Sequence, residues 1–168
     1  MTRSLRASFF AVLISLAGPV AAQEPIRIGL IVDRIGFAKA WSEPITQGAV
    51  YAAKELNAKG GVLGRKVELL MEDDQSKPDL SATAARKLED AGAAFILSLT
   101  HTVAALQAQT VTVETKTPHL APSLTVDTLT TQIQNPNFWQ TGPLASTQIA
   151  TLLSYARHSN YRKVALIS

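Results

Sequence analysis

The chain has 168 residues, 46% of them hydrophobic and 17% charged, with no cysteine and a formal net charge of +3. That composition can bury a domain-sized core, and it excludes a disordered chain, a disulfide framework, a thiol nucleophile, a thiolate metal site and a lipidated cysteine. Two of the positive charges are Arg3 and Arg6, near the N-terminus, so the balance gives no argument for nucleic acid or an acidic membrane surface.

The first 22 residues, "MTRSLRASFFAVLISLAGPVAA", combine a basic start, an apolar run from Ala7 to Ala17, a Gly18-Pro19 break and small residues ending at Ala22. They read as a secretory signal peptide cut after Ala22. The apolar run is about half the ~20 residues a membrane-spanning helix needs. A soluble protein exported to a bacterial periplasm is expected.

"PIRIGLIVD" (Pro25 to Asp33) is a short β-branched run that fits a strand buried on both faces of a parallel sheet. A loop from Arg34 to Trp41 follows. Ser42 is the expected N-cap of a helix with Glu43 and Pro44 in its first turn and Ile45, Ala49, Ala52, Ala53 and Leu56 at helical spacing, ended by Gly60-Gly61. A second strand is expected at about Lys66 to Glu72, and Pro78 opens a helix through Leu80, Ala84 and Leu88 that stops near Gly92. A third strand, Ala94 to Leu99, runs through Thr100-His101-Thr102 into a helix carried by Val103, Leu106, Thr110 and Val113. "PHLAPS" starts a fourth strand, followed by a polar turn around Thr125 to Thr128. An edge strand is expected at Phe138 to Gln140, a helix at Ser146 to His158 and a buried strand at Lys163 to Ile167.

Alternating strands and helices with short links predict an α/β fold with a doubly wound parallel sheet, in which ligands bind outside the carboxyl ends of the strands. The last strand has no helix after it to cover it, which reads as a fragment of a larger protein.

The enzyme signatures are missing. No Gly-x-Ser-x-Gly elbow occurs, and "GGVLG" (Gly60 to Gly64) follows a helix and precedes a strand, the reverse of a phosphate cradle. His101, His119 and His158 are widely separated, which argues against a metal site. Glu72, Asp73 and Asp74 read as a solvated strand end with a capping role.

What remains is neutral hydrogen-bonding groups at strand ends: Thr100, His101 and Thr102 after the third strand, Ser123 and Thr125 after the fourth. A helix N-terminus offers free N–H groups and partial positive charge, hydroxyls add donors, and strand-end carbonyls accept from an ammonium group, so the set suits a zwitterion. Each residue also has a structural reading: Thr102 as a helix cap, Ser123 and Thr125 as turn formers, His101 as packing, and Trp41 as a cover for the core edge rather than a ligand contact.

The segments "IRIGLIVD", "GAVYAAKELNAKGGVLGRKVELLMEDDQSKP", "AARKLEDAGAAFILSLT", "TPHLAPSLTVDTLT" and "FWQTGP" occur in the order and nearly the spacing of a known family. Over Ile26 to Ser168 the chain resembles the periplasmic binding proteins of the leucine/isoleucine/valine type, solute receptors of branched-chain amino acid ABC transporters. The resemblance implies two α/β lobes that close around a small ligand, with residues 23–141 as the N-terminal ligand-binding lobe and residues 142–168 as the crossover and the start of a second. It also implies no cofactor, a membrane permease as partner, and ligand contacts at Trp41, Thr102, Ser123 and Thr125, with Leu124 lining the pocket between the last two. This sequence has Ser98-Leu99 where the family often breaks with Gly-Pro, and Val103 where it often has Gly. The ligand stays open among amino acids, amides, urea and aromatic acids. A sensory module of the same fold and a secreted hydrolase are the rival readings. A chain of this length is expected to bind weakly at best, because closure needs both lobes.

Overall fold

The computed structural model describes residues 23–131, 133–163 and 165. The signal-peptide reading of residues 1–22 lies outside them, as does most of the strand expected at Lys163 to Ile167. The described elements run β1 (Ile26–Val32), α1 (Lys39–Ala58), β2 (Val67–Asp73), α2 (Pro78–Asp90), β3 (Phe95–Leu99), α3 (Thr102–Thr115), β4 (His119–Ala121), α4 (Thr128–Thr131), β5 (Phe138–Gln140) and α5 (Ala145–His158). The five strands form one sheet in the order β2-β1-β3-β4-β5. Every pairing is parallel, so the carboxyl ends gather along one edge.

Alternation along β1 sorts its side chains between two cores. Ile31 packs with Ala84, Ala85 and Leu88 of α2, Ile96 of β3, and Ala108 and Val111 of α3. Leu30 and Val32 face the other way with Leu99, against Ile45 and Ala49 of α1. The sheet is thus covered by α1 on one face and by α2 and α3 on the other, and the reversal between β1 and β3 opens a crevice at the strand ends. A third cluster, Ala105, Ala121, Leu129 and Phe138, closes the β4–β5 side. Burying one such Leu or Phe side chain stabilises the fold by about 1.5–3 kcal/mol.

The five strands expected between Pro25 and Gln140 and most helix limits match the fold. α1 differs: it begins at Lys39, three residues before the expected cap, and Ser42 is not its N-cap. The Asp33 carboxylate, 1% exposed, accepts from Gly36 N at 2.5 Å and Ala38 N at 3.0 Å and so turns the chain into the helix early. Ser42, buried inside α1, uses its hydroxyl to accept from Asp33 N at 2.8 Å. α3 differs in its packed face. Its buried residues are Ala104, Ala105, Ala108, Gln109, Val111 and Thr112, whereas Val103 is 52% exposed and Thr110 is also exposed. Small side chains let α3 lie close to α2 and to the sheet.

The acidic run is not a solvated strand end. Asp74 is fully buried and accepts from Ser76 N at 3.0 Å and Ser81 Oγ at 2.5 Å, which fastens the β2–α2 loop to α2. Glu72 does reach the surface, where it pairs with Lys87 at 3.2 Å.

Candidate ligand-binding site

At the carboxyl edge of the sheet, Ala40, Trp41, Pro44 and Ile45 of α1 face Thr100, His101 and Thr102 of the β3–α3 junction and Ser123 and Leu124 after β4, around a cleft of about 470 Å³. Six of the seven candidate residues therefore line one cavity. Trp41 is in the first turn of α1 rather than in a loop, and the residue, which lines the cleft, is 64% exposed. Thr125, the seventh, is not among the lining residues. Its carbonyl accepts from Ala145 N at 2.7 Å, which ties the turn to the start of α5.

Thr102 is the first residue of α3 and His101 is the N-cap, with no side chain capping the helix. The first intrahelical acceptor is His101 O, taken by Ala105 N at 3.0 Å. Among the described residues no acceptor meets the N–H groups of Thr102, Val103 and Ala104. Thr102, at this end of the helix, lines the cleft, so the positive end of the helix dipole borders the cleft wall.

His101 does not cap because its ring is engaged elsewhere. Nε2 lies 3.2 Å from Ser76 O, and the ring packs 4.8 Å from that of Phe37. Ser76 in turn donates its hydroxyl to the Asp33 carboxylate and accepts from Ala38 N at 3.0 Å. Asp33, Ser76 and His101 thereby knot together the three loops that follow β1, β2 and β3. Gly36 is needed inside this knot, since a Cβ there would collide with Ser76 Oγ and lie 2.6 Å from Asp33 Oδ2.

Thr100 is 6% exposed, lines the cleft, and leaves its Oγ1 buried without a hydrogen-bond partner among the described residues. An unpaired buried hydroxyl costs about 1–3 kcal/mol, a cost that a ligand atom in the cleft would remove.

A second cavity of about 280 Å³ lies against the α1–β2 side and is lined by Asp33, Arg34, Lys39 and Glu43 among others. Four charged side chains border that cavity, and among the described residues none borders the larger cleft. A neutral wall with a free helix N-terminus suits a zwitterion; the mixed-charge cavity does not discriminate for one.

The carboxylates of Asp33, Asp73 and Asp74 come within 4.8 Å of one another, a juxtaposition that reasoning from histidine spacing overlooked. Five of their six oxygens accept from protein donors: those already named, and Arg34 N and Gln75 N, each 3.0 Å from Asp73 Oδ1. The cluster works as a loop fastening.

Ala40, Pro44 and Ile45 line the cleft but were not expected to. Their signal is the i, i+1, i+4, i+5 spacing with Trp41, which becomes legible once α1 starts at Lys39.

The family model of the periplasmic binding proteins matches residues 25–168, and the chain belongs to that family. It is 34% identical over 116 residues to the Leu/Ile/Val-binding protein BraC3 of Rhizobium johnstonii, an alignment covering 69% of this chain and 32% of the relative. Among solved structures, it resembles the branched-chain amino acid transporter substrate binding protein LivJ from Streptococcus pneumoniae in complex with isoleucine: TM-score 0.67, 23% identity, 71% of this chain and 34% of the other covered. It also resembles a solute binding protein of an ABC transporter from Rhodopseudomonas palustris in complex with 3,4-dihydroxy benzoic acid: TM-score 0.70, 21% identity, 80% of this chain and 36% of the other. The chain spans about a third of the length of these relatives, and the two structures share its type I binding-protein fold.

Proposed function

We propose that residues 23–141 form the ligand-binding lobe of a solute receptor for an ABC importer, and that residues 142–168 lead into a second lobe. The receptor captures a small amino acid or a related polar solute and passes it unchanged to a membrane permease, with no cofactor. The leader at residues 1–22 is the reason for placing it in the periplasm.

The observation that carries this reading is the buried, unpartnered Thr100 Oγ1 beside the free N–H groups of α3, in a cleft without charged side chains. A carboxylate fits against the N–H groups of Thr102, Val103 and Ala104, with the hydroxyls of Thr102 and Ser123 alongside. Trp41, Pro44, Ile45 and Leu124 offer apolar surface to a side chain. His101 holds the wall through Ser76 and Phe37. Thr125 acts through its backbone on the crossover. A ligand that touches both lobes stabilises the closed form by its differential affinity, and the permease reads that form.

A thermal-shift screen of the full-length gene product against amino acids, amides and aromatic acids, followed by calorimetry, tests the reading. Saturable binding of one such solute is expected. Turnover of an ester or amide substrate, or no ligand in any of the three classes, would overturn it.

A further inference from the structure

β4 and β5 run parallel, with Ala121 opposite Gln140 as their last pair. Beyond the sheet the two segments stay joined. Thr141 Oγ1 donates to Pro122 O, and Gly142 lies so close to the turn that a Cβ there would collide with Leu124 O. Ala145 N donates to Thr125 O at 2.7 Å, and Ser146 donates to the Asp127 carboxylate through N at 3.1 Å and through Oγ at 3.0 Å. Residues 122–127 and 141–146 are thus strapped side by side, in the same direction, from the sheet edge to the first turn of α5. Ser123 and Leu124, inside the strapped turn, line the cleft, whereas Asp127 and Thr141 are not among its lining residues.

From this we infer that the strap carries occupancy of the cleft to the start of α5, with Asp127 as the positioning residue that couples the two. The inference rests on the receptor reading, in which α5 leads into the second lobe. A turn that opens takes Ser123 and Leu124 away from a ligand, so a ligand that touches them favours the closed strap. Such coupling is reciprocal: a strap that is held closed raises the affinity for that ligand by the same factor. Ala145 and Ser146 are the first two residues of α5, and N–H groups in the first turn of a helix have no acceptor within it. Their partners are Thr125 O and Asp127 Oδ2, so the exchange of these two amides reads the strap directly.

Amide hydrogen exchange of the full-length protein, measured with and without a saturating probe, tests this. The probes are L-leucine, acetamide and 3,4-dihydroxybenzoate, and the one that the parent binds is used. Exchange at Ala145 and Ser146 is expected to slow about tenfold or more on binding. In Asp127→Ala both amides are expected to exchange faster, the slowing by ligand to shrink below about threefold, and the calorimetric affinity to fall about threefold, while β1 and β3 keep the protection that shows an intact fold. Asp127→Asn keeps an oxygen that accepts from Ser146 N and is expected to restore most of the slowing. Thr141→Val keeps the side-chain shape and removes the donor to Pro122 O, so it loosens the same strap at its other end and is expected to lose part of the slowing. Unchanged exchange at Ala145 and Ser146 when the ligand binds, or equal slowing in the parent and in every variant that folds, would overturn the inference and leave the receptor reading intact. A parent protein that binds none of the three probes would overturn both.

Discussion

Asp127 holds the first turn of a helix that starts 18 residues further along the chain. Its Oδ2 accepts from Ser146 N at 3.1 Å and its Oδ1 from Ser146 Oγ at 3.0 Å. A carboxylate at a helix N-terminus satisfies free N–H groups and complements the helix dipole, here for α5. No residue of α5 is buried, and Ile149, Leu152 and Tyr155 are more than half exposed. The described attachment of α5 is therefore concentrated at its start. Asp127→Ala is expected to cost about 1 kcal/mol locally and to speed amide hydrogen exchange throughout α5 while β1 and β3 keep their protection. Unchanged exchange in α5 would show that Asp127 is not its anchor.

Gly142 presses against the turn that carries Ser123 and Leu124. A Cβ at this position would collide with Leu124 O and lie 2.7 Å from Thr125 Cγ2. The turn is also held by Thr141 Oγ1, which donates to Pro122 O. Gly142→Ala is expected to destabilise the protein by about 1–3 kcal/mol, since backbone cannot yield as a flexible side chain does, and to weaken ligand binding by moving Leu124. Urea unfolding and calorimetry of the same variant check the two effects. Wild-type values in both would mean that the turn and the crossover are not coupled.

His119 is fully buried, with Nε2 at 2.7 Å from Ser98 Oγ, Nδ1 at 3.0 Å from Thr112 Oγ1 and the Phe138 ring edge-on at 5.0 Å. Burial lowers its pKa from the ordinary 6.5 to about 3. The folded state keeps the imidazole neutral while the unfolded chain takes up a proton, so this contribution to stability is complete above pH 6.5. It is lost as pH falls from there toward about 3, by up to about 1.4 kcal/mol per pH unit. Urea midpoints of the parent and of His119→Gln between pH 7 and 4 read this directly. The difference between them is expected to shrink or reverse as pH falls; a constant difference would contradict it.

Much of the sheet was legible because strands covered on both faces must be apolar throughout, and "IRIGLIV" and "FILSL" are short runs of that kind. The start of α1 was not legible, because Ser42 satisfies every local preference of an N-cap and only the folded chain brings Asp33 to the amides of Gly36 and Ala38. The buried side of α3 escaped for a different reason. The helix is apolar nearly all round, so Val103 and Leu106 marked no face, and packing against α2 selected Ala108 and Val111 while the β4–β5 side selected Ala105. Asp74 could be seen as charged but not as buried, since its partner Ser81 lies seven residues away on α2. Thr100, His101, Thr102, Ser123 and Leu124 were accessible to reasoning because the carboxyl ends of parallel strands converge. Ala40 and Pro44 stayed hidden behind the misplaced helix start.

The central claim is that the cleft between α1, the β3–α3 junction and the turn after β4 holds a small zwitterion, and Thr100→Val tests it most directly. Valine keeps the shape of threonine and removes only the buried hydroxyl that has no partner among the described residues. If that hydroxyl awaits a ligand, T100V should unfold at equal or higher urea concentration than the parent, with stability unchanged or raised by about 1–2 kcal/mol, while its calorimetric affinity for the amino acid bound by the parent falls about tenfold. A variant that is less stable yet binds with parental affinity would contradict the account.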